Sequence, residues 1–179
     1  MENKNIVGIR LHFCKLKLDN SFYTNQCENF SDYVFVDCTS RNKDCAKDLS
    51  PFYLGPAVGP DGARASTVET LFQCGKVYPC HDDTGTPNEK FFEWRDQMYG
   101  KEIGDLSKEE LRHPQRSLGY EASDCLYFPW YDEKIGKYIP LDYVTSRKKV
   151  YIPNYARLVS QTETFKQLKK LVNEGKKIA

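Results

Sequence analysis

Residues 66–78 read Ser-Thr-Val-Glu-Thr-Leu-Phe-Gln-Cys-Gly-Lys-Val-Tyr and predict a helix. Ser66 precedes Glu69 by three positions, the spacing of a capping box, in which each side chain bonds the other residue's backbone N–H. Pro79 has no backbone N–H, so we expect the helix to end at about Tyr78. The small and apolar positions fall on one face that would pack in a core: Val68, Leu71, Phe72 and Gly75.

A second stripe of this helix is polar. Glu69, Gln73 and Lys76 occupy positions i, i+4 and i+7, so their side chains share one side of the helix. Such a stripe is typical of a solvated face, on which Glu69 merely completes the capping box. It also suits a binding site, because a carboxylate and an amine about 10 Å apart along the helix axis leave room for a sugar. On the pattern alone, both interpretations stand.

The flanking sequence predicts an α+β fold, mainly helical, with a short β-rich N-terminal part over residues 1–60. Two β-prone runs lie in that part, at 7–13 and 33–38. Residues 115–140 are irregular in composition and pattern. No linker or internal repeat interrupts the chain, so we expect a single domain over residues 1–179.

Further helices are expected after residue 65, because start and stop signals recur there. Ser107 with Glu110 forms a second capping box. Pro153 must kink or restart the helix that contains it. The expected helices are at about 88–99, from Ser107 to Pro114, from about Asp142 onward, and at about 163–173 with Gly175 as the residue that ends the last one.

Composition limits the class of protein. Lys and Arg number 26 against 25 Asp and Glu, a net charge of +1, which excludes the overall basic field that drives non-specific nucleic-acid binding. Hydrophobic residues make up 40% and charged residues 28% of the chain, as in a packed globule. No apolar run approaches the ~20 residues of a membrane span, and no signal-peptide segment is visible. We therefore expect a cytoplasmic protein with no membrane partner.

Seven cysteines, an odd number, favour reduced thiols over a disulfide framework. Cys74, Cys80 and His81 would supply three zinc ligands, but this spacing is not diagnostic, and ordinary buried thiols are the better interpretation. We expect no metal and no cofactor. The phosphate-loop, dinucleotide, zinc-protease and serine-hydrolase motifs are all absent from the sequence.

One block of sequence remains. It comprises Leu-Ser-Pro-Phe-Tyr-Leu-Gly-Pro at 49–56, Asp-Gly at 61–62 and the segment 66–78. This block resembles the NADAR (NAD- and ADP-ribose-associated) family of N-glycosidases, whose pattern is Ser-Asn-Phe, a later Pro, an Asp-Gly turn and a helix opening Pro-Thr-x-Glu-His-x-Phe-Gln-x-x-Lys. The matching residues keep the family's order: Ser50, Phe52, Pro56, Asp61, Gly62, Thr67, Glu69, Phe72, Gln73 and Lys76.

The resemblance continues more weakly to about residue 172. Gly119 is similar to the family's short Gly-containing loop, Pro129-Trp130 to its Asn-Trp, and residues 147–171 to its penultimate helices. The resemblance therefore covers residues 49–172, the helical NADAR-like part of the predicted domain.

Three features depart from the family pattern. Pro51 stands in place of the family's Asn, and Thr70 in place of its His. The family closes with a segment of the type Trp-Gly-x-Gly followed by Gly-x-Asn-x-Leu-Gly, which helps to bind ribose and phosphates. That segment would begin at about Ala179, so we expect either a truncated chain or a branch that has replaced part of the site.

The resemblance implies hydrolysis of an N-glycosidic or ADP-ribosyl bond. It places the family's reactive lysine at Lys76, and a lysine with a lowered pKa can attack an anomeric carbon and form a Schiff base. Glu69 would stabilise the positive charge that develops on the sugar. Gln73 and Ser50 would orient the ligand, and Phe52 would contact a ring.

Partners and rival functions follow from the same residues. The implied partner is a small-molecule ribosyl nucleotide or an ADP-ribosylated base, with nucleic acid only as a modified substrate. Trp130, in a loop rich in aromatic residues, would form a wall of the pocket. Two alternatives stay open: a non-catalytic module that binds ADP-ribose or nucleotides on the same scaffold, and a phage or viral interaction protein.

Overall fold

The computed structural model describes residues 33–34 and 47–178. The chain divides into two compact units, one formed by residues 37–166 and the other by residues 1–36 together with 167–179. The single domain expected over residues 1–179 stays a prediction. The β-prone run at 7–13 lies outside the described residues, and the run at 33–38 is described only at its first two residues, which form a strand.

The described strands and helices occur in groups along the chain. In order they are β1 (Tyr33–Val34), β2 (Ala57–Val58), β3 (Arg64–Ala65), α1 (Val68–Cys74), α2 (Glu89–Tyr99), α3 (Lys108–Arg112), β4 (Phe128–Asp132), β5 (Lys137–Leu141), α4 (Tyr143–Ser146), α5 (Ile152–Val159), α6 (Glu163–Asn173) and β6 (Lys177–Ile178). Short 3₁₀ helices cover Lys47–Leu49, Pro79–His81, Pro114–Leu118 and Ala122–Asp124, and a π-helix covers Arg147–Tyr151.

The strands form three small sheets among the described residues. β1 pairs in parallel with β6, β2 pairs antiparallel with β3, and β4 pairs antiparallel with β5. Helices outweigh these short strands, which confirms the predicted α+β class. No helix of the described residues is long and apolar enough to cross a membrane.

Helix α1 lies at the centre of the unit formed by residues 37–166. Six of its seven residues are buried, and it packs against β2, β3, α2, α3 and the π-helix. A helix that is covered on nearly all sides needs apolar residues around most of its circumference. Val68, Leu71 and Phe72 supply them, each with 2% or less of its surface exposed.

The predicted bounds of α1 are wrong at both ends. Thr67, not Ser66, caps the helix, and its hydroxyl accepts a hydrogen bond from the Thr70 backbone N–H at 3.0 Å. The helix ends at Cys74 because the chain then pairs elsewhere: the Val77 N–H donates to the Tyr127 carbonyl at 2.9 Å. This pairing with a distant segment, rather than Pro79, sets the end of the helix.

The other helix signals are confirmed. Asn88 caps α2 by accepting from the Phe91 N–H at 3.2 Å. Ser107 and Glu110 form the predicted capping box at α3, with hydrogen bonds of 3.1 and 2.7 Å. Gly175 follows α6 with a φ of +85°, the left-handed conformation that glycine adopts at little cost at a helix end.

Pro153 restarts a helix, as predicted. It lies in the first turn of α5, directly after the π-helix Arg147–Tyr151. The residues before it are already helical, and the Ile152 N–H donates to the Arg147 carbonyl in the π-helical pattern, so Pro153 lies at a change of winding rather than at a free helix start. The chain from α4 to α5 therefore continues with only a local change of winding.

Residues 128–141 form a β-hairpin, so the expectation of irregular structure over 115–140 is wrong there. Pro129 and Pro140 lie directly opposite each other in the β4–β5 register. Proline has no N–H to donate to the ladder of inter-strand hydrogen bonds. In this register, the backbone nitrogens of both prolines point away from the partner strand, so no hydrogen bond between the strands is lost. Two prolines in one stretch obscured the strand pattern in the sequence.

An ion pair links the turn after β2 to α2. Arg95 Nη1 donates to Asp61 Oδ2 at 2.5 Å, and the Tyr138 hydroxyl donates to the same oxygen at 2.9 Å. Burial opposes ionisation of Asp61, but the Arg95 charge and these hydrogen bonds hold its pKa below 3.8. Asp61 therefore ties the turn, α2 and β5 together.

Asp61→Asn should lower the free energy of unfolding by about 3 kcal/mol, because it removes the more buried of the two carboxylates that pair with Arg95. Urea unfolding at pH 7 measures the loss. Asp96→Asn is the matched control: Asp96 pairs with the same arginine but is 61% exposed, so its loss should be below about 1 kcal/mol.

The difference in free energy of unfolding between wild type and Asp61→Asn should also depend on pH. The folded-state pKa of Asp61 is lowered, so its contribution is present above its unfolded pKa and is lost as pH falls through the folded value. The gap between wild type and Asp61→Asn should shrink in that acid range. Equal losses in the two variants, or a gap that does not change with pH, would contradict this role.

Candidate functional site

Glu69, Gln73 and Lys76 form one chain of hydrogen bonds. Gln73 Nε2 donates to Glu69 Oε1 at 2.8 Å, and Lys76 Nζ donates to Gln73 Oε1 at 2.5 Å. Glu69 is buried, with 7% of its surface exposed, and the other two are half-buried. The stripe is therefore not a solvated face. The Gln73 amide, rather than open space for a sugar, separates the carboxylate from the amine.

The pKa of Lys76 lies below its usual 10.5, because burial disfavours the charged ammonium. The ionisable groups of Cys125, Tyr143, Glu69 and Cys74 act in the opposite direction without cancelling this effect. A lowered pKa increases the fraction of neutral amine near neutral pH. Neutral amine is the nucleophilic form of lysine.

Lys76 and Gln73 line a cavity of about 460 Å³. A second cation, Arg112, also lines it, whereas none of the described residues that line it is Asp or Glu. Four aromatic side chains also line it: Tyr78, Tyr127, Phe128 and Tyr143. Cationic side chains in the lining suit an anionic ligand, and aromatic side chains suit a planar group.

Two residues of the cavity lining have a buried side-chain atom with no hydrogen-bond partner among the described residues. These atoms are Gln115 Nε2 and His113 Nδ1. Gln115 has only 1% of its surface exposed. Because both atoms are buried, neither is exposed to the space of the cavity, and an unpaired buried donor such as Gln115 Nε2 lowers the stability of the folded state.

Ser50 and Phe52 lie at the other end of α1. The segment that carries them supplies the Pro51 carbonyl, which accepts from the Glu69 N–H at 3.1 Å. Ser50 is buried, and its Oγ has no partner among the described residues. Phe52 lines a smaller cavity of about 70 Å³. Neither residue lines the cavity that contains Lys76.

Phe52 is connected to the larger cavity through one cation. The Arg112 guanidinium lies 5.5 Å from the centre of the Phe52 ring, and Arg112 also lines the cavity of Lys76. Phe52 thus supports a residue of the lining rather than contacting the cavity itself.

Trp130 does not line the cavity of Lys76 either. It lies in β4, opposite Ile139, and the Lys149 ammonium is 5.0 Å from its ring centre. Phe128, two residues earlier on the same strand, is the aromatic residue that reaches the cavity. The structure therefore assembles Glu69, Gln73 and Lys76 and leaves Ser50, Phe52 and Trp130 apart from them.

Packing in the core accounts for the positions of Cys74 and His81, two of the three residues considered as zinc ligands. Cys74 is fully buried, and burial raises the pKa of its thiol to about 12. His81 is buried against Trp94, with ring centres 5.1 Å apart. In the described part of the chain, no group of three or more His, Cys, Asp or Glu side chains is arranged to hold a metal ion.

Sequence reasoning missed the far wall of the cavity. Gln115, His113, Tyr143 and Cys125 line it, yet none belongs to the block at residues 49–78. Val77 pairs with Tyr127, which brings Cys125 and its neighbours beside Lys76. The only sequence signal for this wall is the aromatic run at 127–131, which does not indicate that Gln115 is involved.

The chain matches no protein-family model, and neither a curated protein nor a solved structure matches it. The site is therefore interpreted from its own chemistry and from the resemblance of the block at residues 49–78.

Gly75→Ala should disturb the cavity wall, because a Cβ at this position would lie 2.6 Å from the Leu71 carbonyl oxygen and 2.8 Å from the Phe128 ring. We expect a loss of about 1–3 kcal/mol in the free energy of unfolding, as for other overpacked sites. Gly100→Ala is the control, since its Cβ would lie 3.4 Å from its nearest neighbour. Equal stability of the two variants would contradict the close approach at Gly75.

Lys76→Met should make the protein more stable at pH 7, because it removes a cation that burial disfavours while keeping the side-chain volume. The lowered pKa of Lys76 means that stability rises with pH between that pKa and 10.5, its unfolded value. The advantage of the variant should accordingly be greatest below the folded pKa and fade as pH approaches 10.5.

The measurement is the difference in free energy of unfolding between wild type and variant across this pH range. Exposed Lys148 provides the control, and Lys148→Met should show no such pH-dependent difference. A constant difference at position 76 would mean that burial does not perturb this lysine.

Proposed function

We propose that this protein is a NADAR-like N-glycosidase that hydrolyses an N-glycosidic or ADP-ribosyl bond of a ribosyl nucleotide or of an ADP-ribosylated base. The observation that carries the proposal is Lys76: an amine with a lowered pKa lines a cavity of about 460 Å³. The resemblance at residues 49–78 supports it independently, because it assigns the reactive lysine to the same position.

The proposed reaction uses the Lys76 amine as nucleophile. Nζ attacks the anomeric carbon, the bond from that carbon to the base nitrogen breaks, and the base leaves with the electron pair and takes up a proton. The sugar ring then opens to give an imine on Nζ. Water adds to the imine carbon, which releases the free sugar and restores the amine.

Gln73 and Glu69 act as positioning residues in this scheme. Glu69 accepts from the Gln73 amide N–H and so turns Gln73 Oε1 toward Lys76. That oxygen holds one N–H of the amine, and the nitrogen lone pair is left to face the cavity. Glu69 acts through Gln73 and not, as the resemblance implies, by direct contact with the sugar. Ser50, Phe52 and Trp130 have no ligand contact in the proposal.

The charge of the cavity favours a small anionic substrate. Lys76 and Arg112 both line it, and a guanidinium matches the geometry of a phosphate group. The whole chain has a net charge of +1, so nucleic acid enters only as a modified substrate. We place the reaction in the cytoplasm, where the thiols stay reduced.

One observation favours a second candidate, a non-catalytic module that binds ADP-ribose or nucleotides. A glycosidase stabilises the positive charge of its transition state with a nearby carboxylate. Glu69 does not line the cavity and is held behind the Gln73 amide. A protein that only binds its ligand needs no carboxylate there.

Reductive trapping distinguishes the two candidates. Wild-type protein is incubated with ribose 5-phosphate and cyanoborohydride, which reduces an imine to a stable secondary amine. We expect mass spectrometry to find one opened sugar on Lys76, because a lysine with a lowered pKa reacts fastest. Lys76→Arg keeps the positive charge but forms no imine, so the adduct should be absent.

The control variant is Lys148→Arg, at an exposed lysine, which should trap sugar as wild type does. Turnover of ADP-ribosylated guanosine and of ribosylamino-pyrimidine phosphates is then measured on the same proteins. Turnover that depends on Lys76 supports the enzyme. Binding without trapping or turnover would leave only the module, and a sugar adduct spread over many lysines would refute a special reactivity of Lys76.

A further inference from the structure

Four described residues of the lining of the larger cavity carry a hydroxyl group: Tyr78, Tyr127, Tyr143 and Ser146. Tyr127 donates its proton to Asp82 Oδ1 at 2.5 Å, and Ser146 donates to the Tyr143 carbonyl at 2.9 Å. Tyr78 is buried, with 1% of its surface exposed, whereas Tyr143 has 59% of its surface exposed. Tyr143 is therefore the most exposed of these four residues.

The Tyr143 hydroxyl group accepts a hydrogen bond and keeps its own proton unused. Arg147 Nη1 donates to Tyr143 Oη at 3.1 Å. A guanidinium group can only donate, so the Tyr143 proton points away from Arg147, and no described residue accepts it. Two further rings hold Arg147 in place, since its guanidinium carbon lies 4.5 Å from the centre of the Tyr151 ring and 5.9 Å from that of Phe72. The hydroxyl group is thus oriented, with a donor to spare.

Tyr143 lies beside the amine of Lys76. Both residues contact the Phe72 ring: the Tyr143 ring centre is 6.1 Å and Lys76 Nζ is 5.1 Å from its centre. The two groups also interact electrostatically, because Tyr143 opposes the lowering of the Lys76 pKa by burial. A sugar bound to Nζ would therefore have the Tyr143 hydroxyl group as a neighbour.

Two other lining residues carry a proton that could be transferred, but both face other partners. His113 Nδ1 is buried away from the cavity space, and His113 Nε2 lies 3.9 Å from Glu109 Oε1, which belongs to a residue outside the lining. Cys125 Sγ donates to the Tyr127 carbonyl at 3.9 Å, and a thiol is a weak donor. Tyr143 is thus better placed than either to give a proton to a group bound to Nζ.

We infer that Tyr143 is the acid–base residue of the proposed reaction, and that its hydroxyl group gives its proton to the base nitrogen as the bond from that nitrogen to the anomeric carbon breaks. The phenolate then takes up one of the two protons of the attacking Nζ, and the other goes to the ring oxygen as the ring opens. The tyrosine is restored and no proton is left over. This inference rests on the proposed function, because it concerns a reaction at Lys76.

Arg147 is a positioning residue in this scheme. Its N–H holds Tyr143 Oη, and its positive charge lies beside the negative charge that develops on this oxygen during the transfer. The same transfer takes place when a hydroxyl group, rather than a base, leaves the carbon bound to Nζ. Imine formation from a free sugar is such a case, since the carbinolamine loses water.

The rate of imine formation on Lys76 tests the inference. Wild-type and variant proteins are incubated with ribose 5-phosphate at several concentrations and excess cyanoborohydride, and mass spectrometry follows the adduct on Lys76. Tyr143→Phe keeps the ring against Phe72 and removes the proton, so the maximum rate should fall about 100-fold. The half-saturating sugar concentration should change by less than about 3-fold, because a group that acts in the transition state leaves binding unchanged.

Tyr131→Phe is the matched control. Tyr131 lies on β4, is half-buried and does not line the cavity, so this variant should trap sugar at the wild-type rate. Arg147→Met should slow trapping about 10-fold in the wild-type background and cause no further loss in Tyr143→Phe, because Arg147 acts through that hydroxyl group. An arginine needed only for folding would slow trapping equally in both backgrounds.

Trapping by Tyr143→Phe at the wild-type maximum rate would overturn the inference and leave the proposed function intact. A raised half-saturating concentration with an unchanged maximum rate would also overturn it, since Tyr143 would then only contact the ligand. Failure of the proposed function has a different signature. Wild-type protein that forms no adduct on Lys76 would refute that function, and the inference with it.

Discussion

The burial of helix α1 is the constraint on which the rest of the structure depends. A helix covered on nearly every side must satisfy its polar groups inside the protein, because water does not reach them. The hydroxyls of Thr67 and Thr70 bond each other at 2.8 Å, and the Tyr99 hydroxyl donates to the Leu71 carbonyl at 2.9 Å. Glu69 takes its partner from Gln73. The Tyr99 bond holds α2 against α1, whereas the other two lie within α1 and its cap, and the Glu69 bond also orients the amide beside Lys76.

The elements that could be predicted from the sequence are those whose signals are local. The capping box at Ser107 and Glu110 involves only four consecutive residues, and Gly175 ends α6 through its own conformation. The end of α1 could not be predicted, because Val77 leaves the helix to pair with a segment far along the chain. The hairpin could not be predicted for a related reason. Pro129 and Pro140 are compatible with paired strands because the register places them opposite each other, with their backbone nitrogens facing away from the partner strand.

The same distinction between local and long-range signals applies to the candidate site. Gln73 and Lys76 could be named because helix spacing and the family resemblance both pointed to them, and they do line a cavity. The sequence predicts that Glu69 contacts the sugar directly. It does not reveal that the Gln73 side chain fills the space between the carboxylate and the amine. Asp61, part of the resembling block, is used by the fold, where it pairs with Arg95. Gln115 could not be predicted, because only the folded chain places this residue on the lining of the cavity.

The proline pair of the β4–β5 hairpin has a consequence for association between molecules. In a two-stranded sheet, the outward-facing N–H and C=O groups of each strand form an open template on which another chain can add as a further strand. At Pro129 and Pro140, those outward positions carry a pyrrolidine ring and no donor. Both outer borders of the hairpin are interrupted at the same level. The register that lets the two prolines face each other therefore also makes this hairpin a poor seed for intermolecular β-aggregation.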